Sequence, residues 1–252
     1  MMIKTNNTDL YLRVKKLDKI LKVTFYINFL ITFLLIDFQN SIMIIIQIIV
    51  TLGTIATSFI RDYFIFPSAE KGNLERNMGQ AFGVALRSEE IVGYYDNDIS
   101  PSLNKFVFNS FENMLYTKII LERMLFKEII KLIIYIIFFI ISIVILFDIK
   151  TDEKLNVFLF VIQTIFSTQY ILGTITNIVY KNRVSDLYEK FYLEFKSEDT
   201  NIHTLLACVI EYEVLKSSQK TMLDSKIYEK QKGEIAERWT EIKNEFGYNL
   251  LK

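Results

Sequence analysis

The residues of this chain suit lining a passage or holding an anion better than covalent catalysis. His203 is the only histidine and Cys208 the only cysteine. A Ser–His–Asp triad, a Cys–His pair and a His/Cys metal site are therefore poorly supplied, and no intramolecular disulfide can form. Neither an enzyme nor a cofactor is expected. Polar side chains recur inside apolar runs instead. Gln47, Thr51, Thr54 and Ser58 are spaced 4, 3 and 4, which places them within an arc of roughly 60° on a helix. Asn156, Gln163, Ser167, Tyr170, Thr174 and Asn177 fall in a similarly narrow arc. Facing lipid unpaired would be costly, so both stripes must face protein or water. One reading is helix packing through small residues and interhelical hydrogen bonds; the other is the wall of an aqueous pore. For an anionic ligand the candidates are the cations Arg76, Arg87, Lys105, Lys181 and Arg183, with Tyr94 and Tyr95 as aromatic platforms. The plainer reading of those cations is that they set membrane topology.

The elements that position these residues follow from where the charges lie. The 252 residues carry 29 basic and 29 acidic side chains. Almost all of them lie between four apolar runs, at 23–36, 42–60, 129–147 and 155–180. A spanning helix needs roughly 20 mainly apolar residues. The first run is short, at about 21 Å, and Lys19 and Lys22 at its start can snorkel. The third is interrupted by Lys131. The fourth, at about 39 Å, must tilt or project beyond the hydrocarbon. A signal peptide is disfavoured, because a polar stretch precedes the first run and Asp37-Phe38-Gln39-Asn40 follows it. A buried soluble core is disfavoured because 42–46 and 133–147 are apolar on every face.

Basic residues near the run ends set the orientation. Lys4, Arg13, Lys15, Lys16, Lys19 and Lys22 precede the first run, and the 37–41 turn has none. The long middle loop is rich in Lys and Arg, whereas the 148–154 turn sets Lys150 and Lys154 against three acids. Both turns are expected outside and both termini in the cytoplasm. The fold expected is an all-α membrane protein, with four transmembrane helices in two hairpins plus cytoplasmic helices. Its parts are an N-terminal segment (1–22), a first hairpin (23–60), a helical middle loop (61–128), a second hairpin (129–180) and C-terminal helices (181–252).

The hairpins share a weak repeat. Ile46-Gln47-Ile48-Ile49 with Leu52-Gly53-Thr54-Ile55 answers to Ile162-Gln163-Thr164-Ile165 with Leu172-Gly173-Thr174-Ile175. In the middle loop, Pro67 reads as the first turn of a helix. Leu74, Met78, Ala81, Ala85 and Ser88 keep helical spacing, and Gly93–Asp98 interrupts it. Pro101 opens a further helix that is expected to run into the third span. The calcium-like spacing of Asp96, Asp98 and Ser100 lacks the central glycine and terminal glutamate of such loops. After the last span, 181–196 continues as a charged helix and 205–246 reads as one or two more. Lys216, Lys220, Lys226, Lys230, Lys232, Arg238 and Lys243 alternate with acids there, as on a solvated face.

The layout, a loop carrying GYYDND and NSFENMLYTK, and the tail LLACVIEYEVLKSSQKTMLDSKIYEKQKGEIAERWTEIKNEF resemble bacterial four-span effectors of antiphage defence. Those effectors accompany nucleotidyltransferases of the CBASS type and of the related Hailong (HalA-like) type. The resemblance implies a homo-oligomeric pore in the bacterial plasma membrane, most simply a tetramer, whose opening depolarises an infected cell. It implies control by a nucleotidyltransferase product, either a cyclic nucleotide that opens the pore or a DNA oligomer that holds it shut. A non-conducting membrane scaffold or receptor subunit is the alternative. No family-wide binding residue maps onto this sequence.

Overall fold

The computed structural model describes residues 6–37, 41–86, 99–148, 169–197 and 199–246. Every regular element among them is helical: α1 (Asn6–Asp37), α2 (Ser41–Ile60), a π-helical segment (Arg61–Ile65), α3 (Phe66–Phe82), α4 (Leu103–Asp148), α5 (Gln169–Lys196), α6 (Ile202–Gln219) and α7 (Ser225–Phe246). By length and composition the continuous helix Ser41–Phe82 is able to cross a membrane. The chain divides into two compact units, Met1–Pro67 with Glu128–Ile175, and Ser68–Lys127 with Thr176–Lys252.

In the first unit α1 and α2 pack side by side and antiparallel. Asp18 Oδ1 lies 2.6 Å from Arg61 Nε. Ten residues further along α1 and ten back along α2, Asn28 Oδ1 lies 3.4 Å from the Thr51 hydroxyl. The equal steps fix one register for the hairpin. Val14, Asp18, Leu21, Phe25 and Asn28, all among the less exposed positions of α1, are spaced 4, 3, 4 and 3, as a helix–helix seam requires. No residue of α2 is buried, and Ile42, Ile49 and Leu52 are 64%, 63% and 60% exposed.

Pro67 lies in the first turn of α3, as its sequence context suggests, but that helix is continuous with α2 rather than a fresh start. The helix arrives from α2 through the π segment, where the Phe66 N–H reaches back to the Arg61 carbonyl. In a regular α-helix the Pro67 ring would collide with the Tyr63 carbonyl and leave it without a donor. The wider π turn immediately before it is a means of accommodating that defect. The helical spacing read onward to Ser88 also ends early, at Phe82. Gly83 adopts φ +66, and the Val84 N–H bonds the Gly79 carbonyl at 3.0 Å, a Schellman stop. Pro101 lies just outside α4, whose first turn is capped by Ser102 Oγ, 3.2 Å from the Lys105 N–H. As expected, α4 continues without a break from Leu103 to Asp148.

The second unit has an aromatic core. Phe111 is fully buried. Its ring stacks on Phe191 (4.8 Å), Tyr188 (5.2 Å) and Phe195 (5.4 Å), with Trp239 edge-on at 5.6 Å. One α4 side chain thereby gathers α5 and α7. Beside it Asn109 donates to Asn77 and Asn77 to Ser110, each at 3.2 Å, so the buried amides that join α3 to α4 are paired. Phe111→Ala should cost about 3–5 kcal/mol of stability, read as a lowered denaturation midpoint by circular dichroism.

Candidate functional site

Most of the polar residues of α2 lie on its less exposed side. Met43, Gln47, Val50, Thr54, Thr57 and Ser58 are its half-buried positions, and the solvent-facing sides are isoleucine-rich. The Thr54 hydroxyl donates to its own helix at the Val50 carbonyl, 2.8 Å away. Ser58 Oγ lies 3.5 Å from Asp62 Oδ2. Thr51 is exposed, with its hydroxyl directed at Asn28. Among the candidates of the fourth apolar run, Asn156, Gln163 and Ser167 lie outside the described residues, and Tyr170 is placed only as part of α5. Thr174 is 3% exposed. Asn177 Oδ1 accepts from the Thr221 hydroxyl at 2.6 Å, tying α5 to the α6–α7 turn.

Two polar residues of the first unit are absent from the sequence-level candidates, Asp18 and Asn28. Asn28 is the one amide in run 23–36, and its spacing from Val14, Leu21 and Phe25 is the signal that would have found it. At the end of the hairpin Arg61 bridges Asp18 and Asp62, each at 2.6 Å, with its guanidinium 5.6 Å from the Phe66 ring centroid.

The ligand-binding candidates are dispersed over several elements. Arg87, Tyr94 and Tyr95 lie outside the described residues. Arg76 is half-buried on α3, and half-buried Lys105 sits in the capped first turn of α4. Lys181 faces Glu122 across 3.9 Å. Arg183 is exposed on α5.

The strongest electrostatic feature of the second unit lies elsewhere, around Lys216. Its ammonium is 2.8 Å from Glu213 and 3.5 Å from Glu70. All three side chains are close to nine-tenths buried. Lys216 also lies 5.5 Å from the centroid of the Tyr212 ring, whose hydroxyl meets Thr117 at 2.8 Å and donates to the Asn113 carbonyl. Burial opposes the charge on Lys216. The attraction of Glu213 and then Glu70 outweighs it, so its pKa rises above the ordinary lysine range. This corrects the sequence reading of Lys216 as part of a solvated face. The buried stripe Leu205, Val209, Tyr212 and Leu215 turns the adjacent Lys216 inward, while Lys226, Lys230 and Lys232 are exposed. His203 is exposed on the first turn of α6, and Cys208 is fully buried, where burial pushes its thiol up.

Comparison with known protein families, with characterised proteins and with solved structures finds no match. The residues themselves are the only guide to the chemistry. Among the described residues no three His, Cys, Asp or Glu side chains converge as a metal site. The arrangement can do two things. The first unit presents an apolar exterior around a polar seam, and the second ties α3 to α6 through a nearly dry ion cluster.

Lys216→Met would leave Glu70 and Glu213 buried without their shared counter-ion, at a cost of about 3–5 kcal/mol at neutral pH. The pKa of Lys216 is raised on folding, so its contribution is fully present below the ordinary lysine value of about 10.4 and lost as pH rises through the folded value. Unfolding midpoints of the two proteins should therefore differ from pH 7 to pH 9 and draw together only in stronger alkali.

Proposed function

We propose that the chain is an oligomeric, ligand-gated ion channel, a pore-forming effector of bacterial antiphage defence. It crosses the plasma membrane four times, in two hairpins at 23–60 and 129–180, with both termini and the middle loop in the cytoplasm. The controlling ligand is a nucleotidyltransferase product, a DNA oligomer or a cyclic nucleotide, and conduction depolarises the membrane to abort infection. One observation carries the reading. The α2 helix exposes isoleucines over most of its surface, keeps Gln47, Thr54, Thr57 and Ser58 on its less exposed side, and continues through the π segment into α3. An apolar exterior of that kind suits lipid, and the continuity gives a ligand event at α3 a mechanical route to the span. Two polar-striped helices cannot enclose water alone, so a closed ring of copies is required, most simply a tetramer. A ligand would move such a gate only by binding its open and closed states unequally.

The second reading is a non-conducting scaffold or receptor subunit, whose polar stripes are packing seams. The Thr51–Asn28 contact and the burial of Thr174 favour it. Flux of monovalent ions from liposomes separates the two. The channel reading expects flux from the reconstituted wild type and an altered rate for Gln163→Leu or Thr174→Leu. Sealed liposomes under every candidate ligand would favour the scaffold, and a strict monomer in several mild detergents would count against the ring.

A further inference from the structure

The face of α1 that points away from α2 changes chemistry along its length. Leu12, Lys16, Lys19, Val23, Tyr26 and Leu30 are all exposed and spaced 4, 3, 4, 3 and 4, so they form one stripe on the side opposite the seam. Its first half carries lysines. Its second half is apolar, with Val23, Tyr26 and Leu30 at 48%, 62% and 57% exposed. The change takes one turn, about 6 Å between Lys19 and Val23. Arg13, Lys15 and Lys22 add positive charge to the same stretch, where Asp18 is the only acid. Asp18 is engaged by Arg61 and turned to the seam, so it does not serve the outward lysines. Lys16 and Lys19 have no carboxylate partner among the described residues.

The Asp18–Arg61 pair also sets the level of this change against the neighbouring helix. Phe59, Tyr63 and Phe64 flank Arg61 and are 53%, 61% and 58% exposed. An exposed tyrosine where an apolar hairpin meets charged side chains is the pattern of a membrane–water boundary. Phosphate first and acyl chain next, within one helical turn, is the order in which a phospholipid presents itself.

We infer that this stripe of α1 binds the headgroups of anionic phospholipids, with Lys16 and Lys19 on the phosphate and Val23, Tyr26 and Leu30 along the acyl chains. The inference rests on the membrane reading above and adds a lipid preference to it. A lysine near an anionic lipid surface is worth about fivefold in affinity, so the two lysines together supply about 25-fold.

The test uses the full chain in a non-ionic detergent, titrated with phosphatidylglycerol or with phosphatidylcholine of the same acyl length, and bound lipid read by native mass spectrometry. The expected result is tighter binding of phosphatidylglycerol, reduced about 25-fold in Lys16→Gln/Lys19→Gln. Phosphatidylcholine binding should be unchanged, and Lys16→Arg/Lys19→Arg should retain the preference. Lys226→Gln/Lys230→Gln, on α7, should behave as wild type. Matched helical circular dichroism shows that each variant is folded. Equal affinity for the two lipids, or an unaltered preference in the double Gln variant, overturns the inference. So does displacement of phosphatidylglycerol by a short oligonucleotide, which would make the stripe a soluble-polyanion site, or a change of oligomer size in the Gln variant, which would make it a contact between copies. A chain that stays in the supernatant after ultracentrifugation without detergent fails the membrane reading itself; a chain that pellets with membranes but shows no lipid preference fails only the inference.

Discussion

Ile42, Ile45, Ile49, Leu52, Ile55 and Phe59 make a surface on α2 that the described parts of the chain leave open, and an apolar surface of that extent has to be covered by something. The arrangement of the first unit follows from that requirement. If the cover is apolar, every polar group of α2 must find its partner in the helix itself or across the seam. Thr54 and Thr57 turn back to carbonyls one turn earlier, and Thr51 reaches for Asn28. The formal charges Asp18, Arg61 and Asp62 gather where α2 ends.

The second unit solves a different problem with related means. Its aromatic core excludes water around Phe111, and at its edge Lys216 holds two carboxylates from two helices. A buried ion cluster of this kind contributes little net stability over a well-packed apolar substitute, but losing one member is expensive. Glu70 on α3 and Glu213 on α6 thus share a single ammonium.

The sequence exposes these features unevenly. The course of α4 is readable because Leu103, Phe106, Val107, Ser110, Phe111 and Met114 share one face and no helix breaker separates them from the apolar run that follows. The heptad spacing of Val14, Asp18, Leu21, Phe25 and Asn28 is likewise in the letters, although it signifies only once a partner helix is known. The Asp18–Arg61 pair is not legible, since 43 residues separate its members and the hairpin register alone brings them together. Lys216 resembles its neighbours in the tail in composition, and only the phase of the buried stripe distinguishes it. The end of α3 is obscured because apolar spacing continues past Gly83, where backbone conformation rather than pattern stops the helix. Candidate residues 87, 94, 95, 156, 163 and 167 fall outside the described parts, so their sequence reading stands alone.

The junction of α3 and α4 has a practical consequence. Pro101 packs so closely on Gly83 that a Cβ there would lie 3.2 Å from its ring, and the Ser102 N–H bonds the Ala81 carbonyl at 2.9 Å. The chain leaves and re-enters the helical body at a single clasp. Ala81 and Ser102 are thus held as a pair, and a change at Gly83 or Pro101 acts on the end of one helix and the entry to the next at once.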